Sequence, residues 1–281
     1  MTAADRGARR PPAPPSRPQC QPRAYGWLEL QLRVVFALIL REMTTRFGRS
    51  AGGYLWAVLE PAGTVALLAL VFSQIARHPP LGVDFALFFA TGYVAFHCYM
   101  DISRNVSNAV RTNRALLTFP SVTMLDAIIA RFLLQLLTTI FVGALILTVL
   151  VVTSRQPVAL DLGAVLLAMG LAALLGLGVG ALNCVLFAFS PTWERVFNVV
   201  NRPLFLISGV FFIYEALPRA AQDVIWWNPL MHVTAIMRTG FYPFYEPSYP
   251  SVVYVGFFAL APLAVGMLLL RLARARMLED Q

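Results

Sequence analysis

Six apolar blocks, near residues 55–76, 85–103, 132–152, 162–189, 196–214 and 251–270, dominate the chain. Crossing a bilayer takes about 20 mostly apolar residues, and these blocks approach or exceed that length. Composition agrees. The chain is 58% hydrophobic and 13% charged, with a mean hydropathy of +0.69, whereas soluble domains carry roughly twice that charged fraction. The blocks predict an all-α integral membrane protein with six transmembrane helices.

All 22 basic residues are arginine. With no lysine, a Walker A loop is excluded, because its lysine must reach the β- and γ-phosphates. If ATP drives this protein, ATP and Mg bind in a separate subunit, and no cofactor is expected in this chain. Cys20, Cys98 and Cys184 lie far apart, which argues against a disulfide framework or a structural zinc site. No metal or Ser/His/Asp constellation is visible.

Arginine placement predicts topology. With the N-terminus inside, 18 arginines fall on the inner side or near inner span ends, and four (Arg77, Arg155, Arg219, Arg238) lie in outer loops. The positive-inside rule then puts both termini in the cytoplasm. Topology accounts for the net charge of +8, and no nucleic-acid partner is required. Arg131 precedes the third span and can snorkel to the interface.

Outside the spans, residues 1–24 hold six prolines and five arginines and read as a disordered cytoplasmic tail, able to touch anionic headgroups or simply solvated. Residues 25–50 read as an amphipathic helix on the membrane interface, or as a short buried helix. The six-span domain occupies 51–276, and 277–281 is a cytoplasmic tail. Residues 104–123 have a helical pattern that offers Leu116, Leu117 and Phe119 as an apolar knob, with Arg111, Asn113, Arg114 and Pro120 around it. This is either a docking element or a loop anchored on the membrane surface. Residues 215–249 contain Trp226, Trp227, Asn228 and Pro229, then a run from Met231 to Tyr242 that holds Arg238 and is too short to span. They predict re-entrant or interfacial helices with the tryptophans at headgroup depth.

Four blocks, in order, carry a family resemblance. They are Arg41-Glu42-x-x-Thr45-Arg46-Phe47-Gly48-Arg49 with Gly53-Tyr54-Leu55-Trp56-x-x-x-Glu60-Pro61; Asn113-x-x-Leu116-Leu117-x-Phe119-Pro120; Arg202-Pro203-Leu204-Phe205-x-Ile207-Ser208-Gly209-Val210-Phe211-Phe212; and Asn228-Pro229-Leu230-x-His232 with Arg238-x-Gly240-Phe241. Over about residues 28–276 the chain resembles the permease subunit of type-2 ABC exporters for bacterial surface polysaccharide, most of all capsular polysaccharide permeases. O-antigen and teichoic-acid permeases come next, and lipid or drug exporters of the same fold remain an alternative. The resemblance implies a homodimer in the bacterial inner membrane, bound to two copies of a separate ATPase and exporting a polysaccharide or lipid-linked glycan. It also implies a cytoplasmic coupling helix between the second and third spans and periplasmic re-entrant helices between the fifth and sixth.

Against that frame, Arg41, Arg46 and Arg49 either guide an anionic substrate or anchor headgroups. Glu60, near the start of a span, either lines the entrance or pairs with an arginine. Tyr54 and Trp56, with Phe88, Tyr93, Phe211, Phe212 and Tyr214, offer stacking faces for sugar or ordinary packing. Gly176 and Gly180 fit close helix packing rather than a nucleotide loop. His97 and Asp101 can share a helix face, but no third ionisable residue suggests a proton relay. A proton-driven carrier and a membrane glycosyltransferase find less support, lacking mid-membrane ionisable groups and paired cytosolic carboxylates respectively.

Overall fold

The structure, a computed structural model, describes residues 27–47, 52–117, 122–154 and 158–279. Its helices are α1 (Trp27–Phe47), α2 (Gly53–Ile75), α3 (Phe85–Ser107), α4 (Ala109–Thr112), α5 (Arg114–Leu117), α6 (Met124–Thr153), α7 (Leu162–Phe189), α8 (Pro191–Leu206), α9 (Arg219–Ile225), α10 (Pro229–Thr239) and α11 (Val252–Glu279). A 3₁₀ turn at Tyr214–Ala216 precedes α9. Arg49, Phe119 and Pro120 lie outside the described residues.

Helix starts follow local chemistry. Thr123 and Asp126 form a reciprocal capping box that opens α6. Asp161 accepts from Gly163 N and Ala164 N at the start of α7. Ser190 caps α8 and Asn228 caps α10, each followed by a proline whose missing N–H costs nothing at the first helical position.

Among the described residues, five helices (α2, α3, α6, α7 and α11) are long and apolar enough to cross a membrane. α3 is the central one: 72% of its apolar window is buried, against 11% for α2. It packs on α6, α7, α2 and α10, while α11 lies along α7. Gly176 and Gly180 meet Ile102 and Val106 of α3, so the expected close packing at that pair is present. Gly178 faces the other way, and a Cβ there would stand 2.1 Å from Ala259 O of α11. Three glycines thus let two backbones approach one helix from different sides.

The block expected to span 196–214 is different. α8 has 16 residues, roughly 24 Å, and ends at Leu206. Gly209 then takes φ +76°, a region open to glycine, and Ser208–Ile213 is not helical. The sequence hid this break because the apolar run continues through Phe212. α8 packs on α7 and meets α3 through Phe205, while the residues at its two ends reach the two ends of the α3–α4 segment. Arg111 of α4 pairs with Glu194 (2.8 Å), Phe205 packs on Phe96 and Tyr93, and Phe211 reaches Phe89.

Residues 215–249 form the short helices expected, and none of them spans. Every residue of α10 from Leu230 to Arg238 is buried. α10 serves as a template for the broken end of α8. Asn228 Nδ2 donates to Ile207 O, Thr234 Oγ1 to Ser208 O, and Arg238 to Val210 O (3.1 Å) and Phe212 O (2.9 Å). Four carbonyls freed by the break thereby find donors, as a buried backbone requires.

Candidate functional site

A cavity of about 490 Å³ lies between α2, α3, α6 and α8. Its wall is mixed. Tyr93, Phe96 and Phe205 supply aromatic faces, Glu60 and Asp101 carboxylates, and His97, Arg104, Asn105, Gln135, Thr138 and Thr139 further polar groups. Glu60 is exposed at its rim, and Tyr93 sits 5.1 Å ring to ring from His97.

The polar groups are organised. His97 Nδ1 lies 3.0 Å from Asp101 Oδ2, to which Gln135 Nε2 also donates. Gln135 Oε1 accepts from Asn105 Nδ2. Arg131 donates to the Asn105 carbonyl and grips Glu42 of α1 through two nitrogens, at 2.9 and 3.2 Å. Asn113, between α4 and α5, donates to Glu42 and accepts from Arg41 at 3.0 Å. A partly buried thread of hydrogen bonds therefore joins the α4–α5 segment to the cavity.

The expected site residues fare unequally. Of the aromatic set, Tyr93 lines the cavity. Phe88 is fully buried, with the Arg238 guanidinium 4.1 Å from its ring centre. Phe211 joins a cluster with Phe72, Phe89 and Phe205. Phe212 contributes its carbonyl to Arg238, and Tyr214 stacks on Tyr249 at 4.1 Å. Trp56 is exposed. Arg46 and Tyr54 belong to α1 and α2, but their side chains lie outside the described residues.

In the α4–α5 segment, Leu117 and Asn113 are buried, Leu116 and Arg114 half-buried, and Arg111 exposed. The hydrogen-bonded Glu194 carboxylate holds the Arg111 guanidinium above its ordinary pKa. Leu117 turns into the core because its backbone hydrogen-bonds to Asn113 O, closing a single helical turn over α4. It is not part of an outward knob.

At the opposite end, Trp226 packs edge-on against Trp227 and His232, and His232 Nε2 donates to Trp226 O at 2.8 Å. Ser251 N donates to the other ring nitrogen, which fixes the tautomer. Asn228 and Pro229 start α10. Arg238, counted by sequence among outer-loop charges, is 1% exposed.

The sequence offered Glu42 only within a family block and Arg131 only as a snorkelling residue, gave Gln135 no role, and set the His97–Asp101 pair aside. The overlooked signal is a polar stripe, His97, Asp101, Arg104 and Asn105 on α3 with Arg131, Gln135, Thr138 and Thr139 on α6, at helical spacing within apolar helices. Polar groups in such positions face protein or water.

Residues 33–242 match the ABC-2 type transporter family. The chain is 30% identical over 257 residues to the polysialic acid transport protein KpsM of Escherichia coli, covering 92% of this chain and all of that protein. It is 30% identical over 241 residues to the capsule polysaccharide export inner-membrane protein CtrC of Neisseria meningitidis, covering 85% and 91% of the two. It is 27% identical over 244 residues to the capsule polysaccharide export inner-membrane protein BexB of Haemophilus influenzae, covering 87% and 92%. With most of its length matched, the chain belongs to the ABC-2 type transporter membrane family.

Proposed function

We propose that this chain is the transmembrane subunit of an ATP-driven exporter that moves a capsule-like polysaccharide, free or lipid-linked, across a bacterial inner membrane. The observation that carries this reading is similarity, over most of both chains, to a polysialic acid transport protein and to a capsule polysaccharide export protein. The cavity supports it. Carboxylates, amides and hydroxyls beside aromatic faces are the groups that hold sugar hydroxyls and C–H surfaces, and 490 Å³ falls in the ordinary range for ligand pockets, about 300–1,000 Å³.

In this reading α8 and the broken segment after it form a sixth crossing. Glu194 pairs with Arg111, just past the C-terminal end of α3, and Phe211 packs on Phe89 near the N-terminal end of α3; the helix between those levels is roughly 28 Å long, close to a hydrocarbon core of about 30 Å. Both termini are then cytoplasmic, α1 lies at the cytoplasmic interface, and α9 and α10 are periplasmic re-entrant elements. Arg195, Asn198 and Arg202 are exposed along one side of α8 at spacings of three and four. Such a stripe is costly against lipid. In a homodimer it faces water and the second copy, with Arg104 and the cavity behind it. The α4–α5 segment meets a separate ATPase, two copies per dimer, which holds ATP and Mg. Closure of that ATPase moves the spans.

The test is complementation of a host strain from which the gene has been removed. Wild-type protein restores surface polysaccharide. Leu116→Asp, which alters the half-buried leucine and spares Leu117, is expected to be made and inserted normally while export falls at least about tenfold, as loss of a docking anchor predicts. Normal surface polysaccharide in the deletion strain contradicts the function. Full export by Leu116→Asp contradicts the docking surface.

A further inference from the structure

We propose that Arg131 and Glu42 form the centre of a coupling relay that carries the position of the α4–α5 segment to the wall of the cavity. This rests on the exporter reading above, but it assigns a role to residues outside both the docking surface and the cavity lining.

Three observations carry it. First, the contacts are continuous. Asn113 bonds to Glu42, Glu42 to Arg131, Arg131 to the Asn105 carbonyl, and Asn105 through Gln135 to Asp101, with each step between 2.9 and 3.2 Å. Second, the central pair is withdrawn from water, its side chains 11% and 12% exposed. A packing role alone would be filled as well by apolar side chains, since a buried ion pair contributes little net stability after desolvation. Third, the relay joins three separate elements. Glu42 is on α1, Arg131 on α6, and Asn113 follows α4. α1 packs on α6, and the two-nitrogen grip of Arg131 on Glu42 fixes their relative register. The guanidinium fork cannot follow a shifted Glu42 without losing its bond to the Asn105 carbonyl. A displacement at Asn113 therefore reorients Gln135 and Asp101 at the cavity.

The geometry requires a directional, fully bonded pair and not merely two residues that fit. The test uses the purified complex with its ATPase, in a Cys20→Ser background that leaves the buried Cys98 and Cys184. A reporter cysteine replaces Thr138 on the cavity wall. Its rate of reaction with a water-soluble maleimide is measured without nucleotide and with ATP and vanadate. The variant is Glu42→Gln with Arg131→Met, which leaves no charge unpaired, and the conservative control is Arg131→Lys, which keeps a cation with donors for both Glu42 and the Asn105 carbonyl.

With the parent pair, vanadate trapping changes the labelling rate about tenfold, within the usual range of coupling between sites. In the neutral pair the ATPase still binds and turns over, the protein stays monodisperse, and the change shrinks to less than about twofold. Arg131→Lys keeps part of it. A neutral pair that keeps the full nucleotide response overturns the relay and leaves a structural contact. A neutral pair that fails to assemble, with a lysine variant that assembles but does not respond, also overturns it. If no ATPase accompanies the parent protein, the exporter reading itself fails, and the relay with it.

Discussion

Replacing Arg238 with methionine is expected to remove most of the folded protein from the membrane. The guanidinium is buried, spans from Val210 O to Phe212 O, and lies over the Phe88 ring. Methionine fills much of the space but donates nothing, so the buried Val210 carbonyl loses its donor at about 1–3 kcal/mol, the part-buried Phe212 carbonyl loses its donor at a smaller cost, and a desolvated cation–π contact of about 2 kcal/mol goes with them. Arg238→Lys should fall between the two, because an ammonium keeps the charge but lacks the planar fork. Thermal unfolding in detergent, followed by loss of the monodisperse peak, ranks the three proteins. A methionine variant as stable as the parent would show that the segment after α8 does not depend on α10.

Gly178→Val is the second large effect. A Cβ at this position would be 2.1 Å from Ala259 O, a backbone atom that no rotamer change can move. α7 and α11 must separate, and the loss spreads along an interface that continues to Gly266 against Leu182. Association of helices within a bilayer depends on such close contact, since lipid competes for any apolar surface. We expect a destabilisation of more than about 3 kcal/mol, the scale of severe overpacking, read as low yield and aggregation. By contrast Gly170, with nothing within 4 Å of its added Cβ, should accept alanine with no measurable change. If both glycines tolerate substitution equally, the α7–α11 packing is wrong.

These two sites differ in how plainly the sequence announces them. The glycines of α7 are legible because a bilayer helix has no other use for small residues at spacing four, although which neighbour each one meets is not. The partner depends on α3 and α11 lying on different sides of α7. Arg238 was misread for the opposite reason. Counting charges treats every arginine outside a span as solvent-facing, whereas Arg238 sits inside the run Met231 to Tyr242. A lone cation there demands acceptors. Its acceptors are carbonyls created by the break at Gly209, and no side-chain pattern advertises those.

The same limit applies to α8. From Leu204 to Phe212 only Ser208 and Gly209 interrupt the apolar residues, so hydropathy joins what the backbone separates. The cavity was legible in part. Glu60 and Tyr93 stand in it, whereas Phe88, Phe211 and Phe212 serve packing and carbonyl contacts. Aromatic residues report burial well and direction poorly. The thread from Asn113 to Asp101 was visible only as isolated polar residues on α3 and α6, because hydrogen-bond partners as much as 89 residues apart leave no local period.

If this chain is the membrane half of an ATP-driven exporter, its ATPase should stay with it when the tagged protein is purified from its own host in mild detergent and what remains bound is identified. The expected preparation is a dimer of this chain with a stoichiometric second polypeptide that contains a Walker A lysine and hydrolyses ATP. A homogeneous preparation with no such ATPase, under conditions that keep known transporter complexes intact, would contradict it.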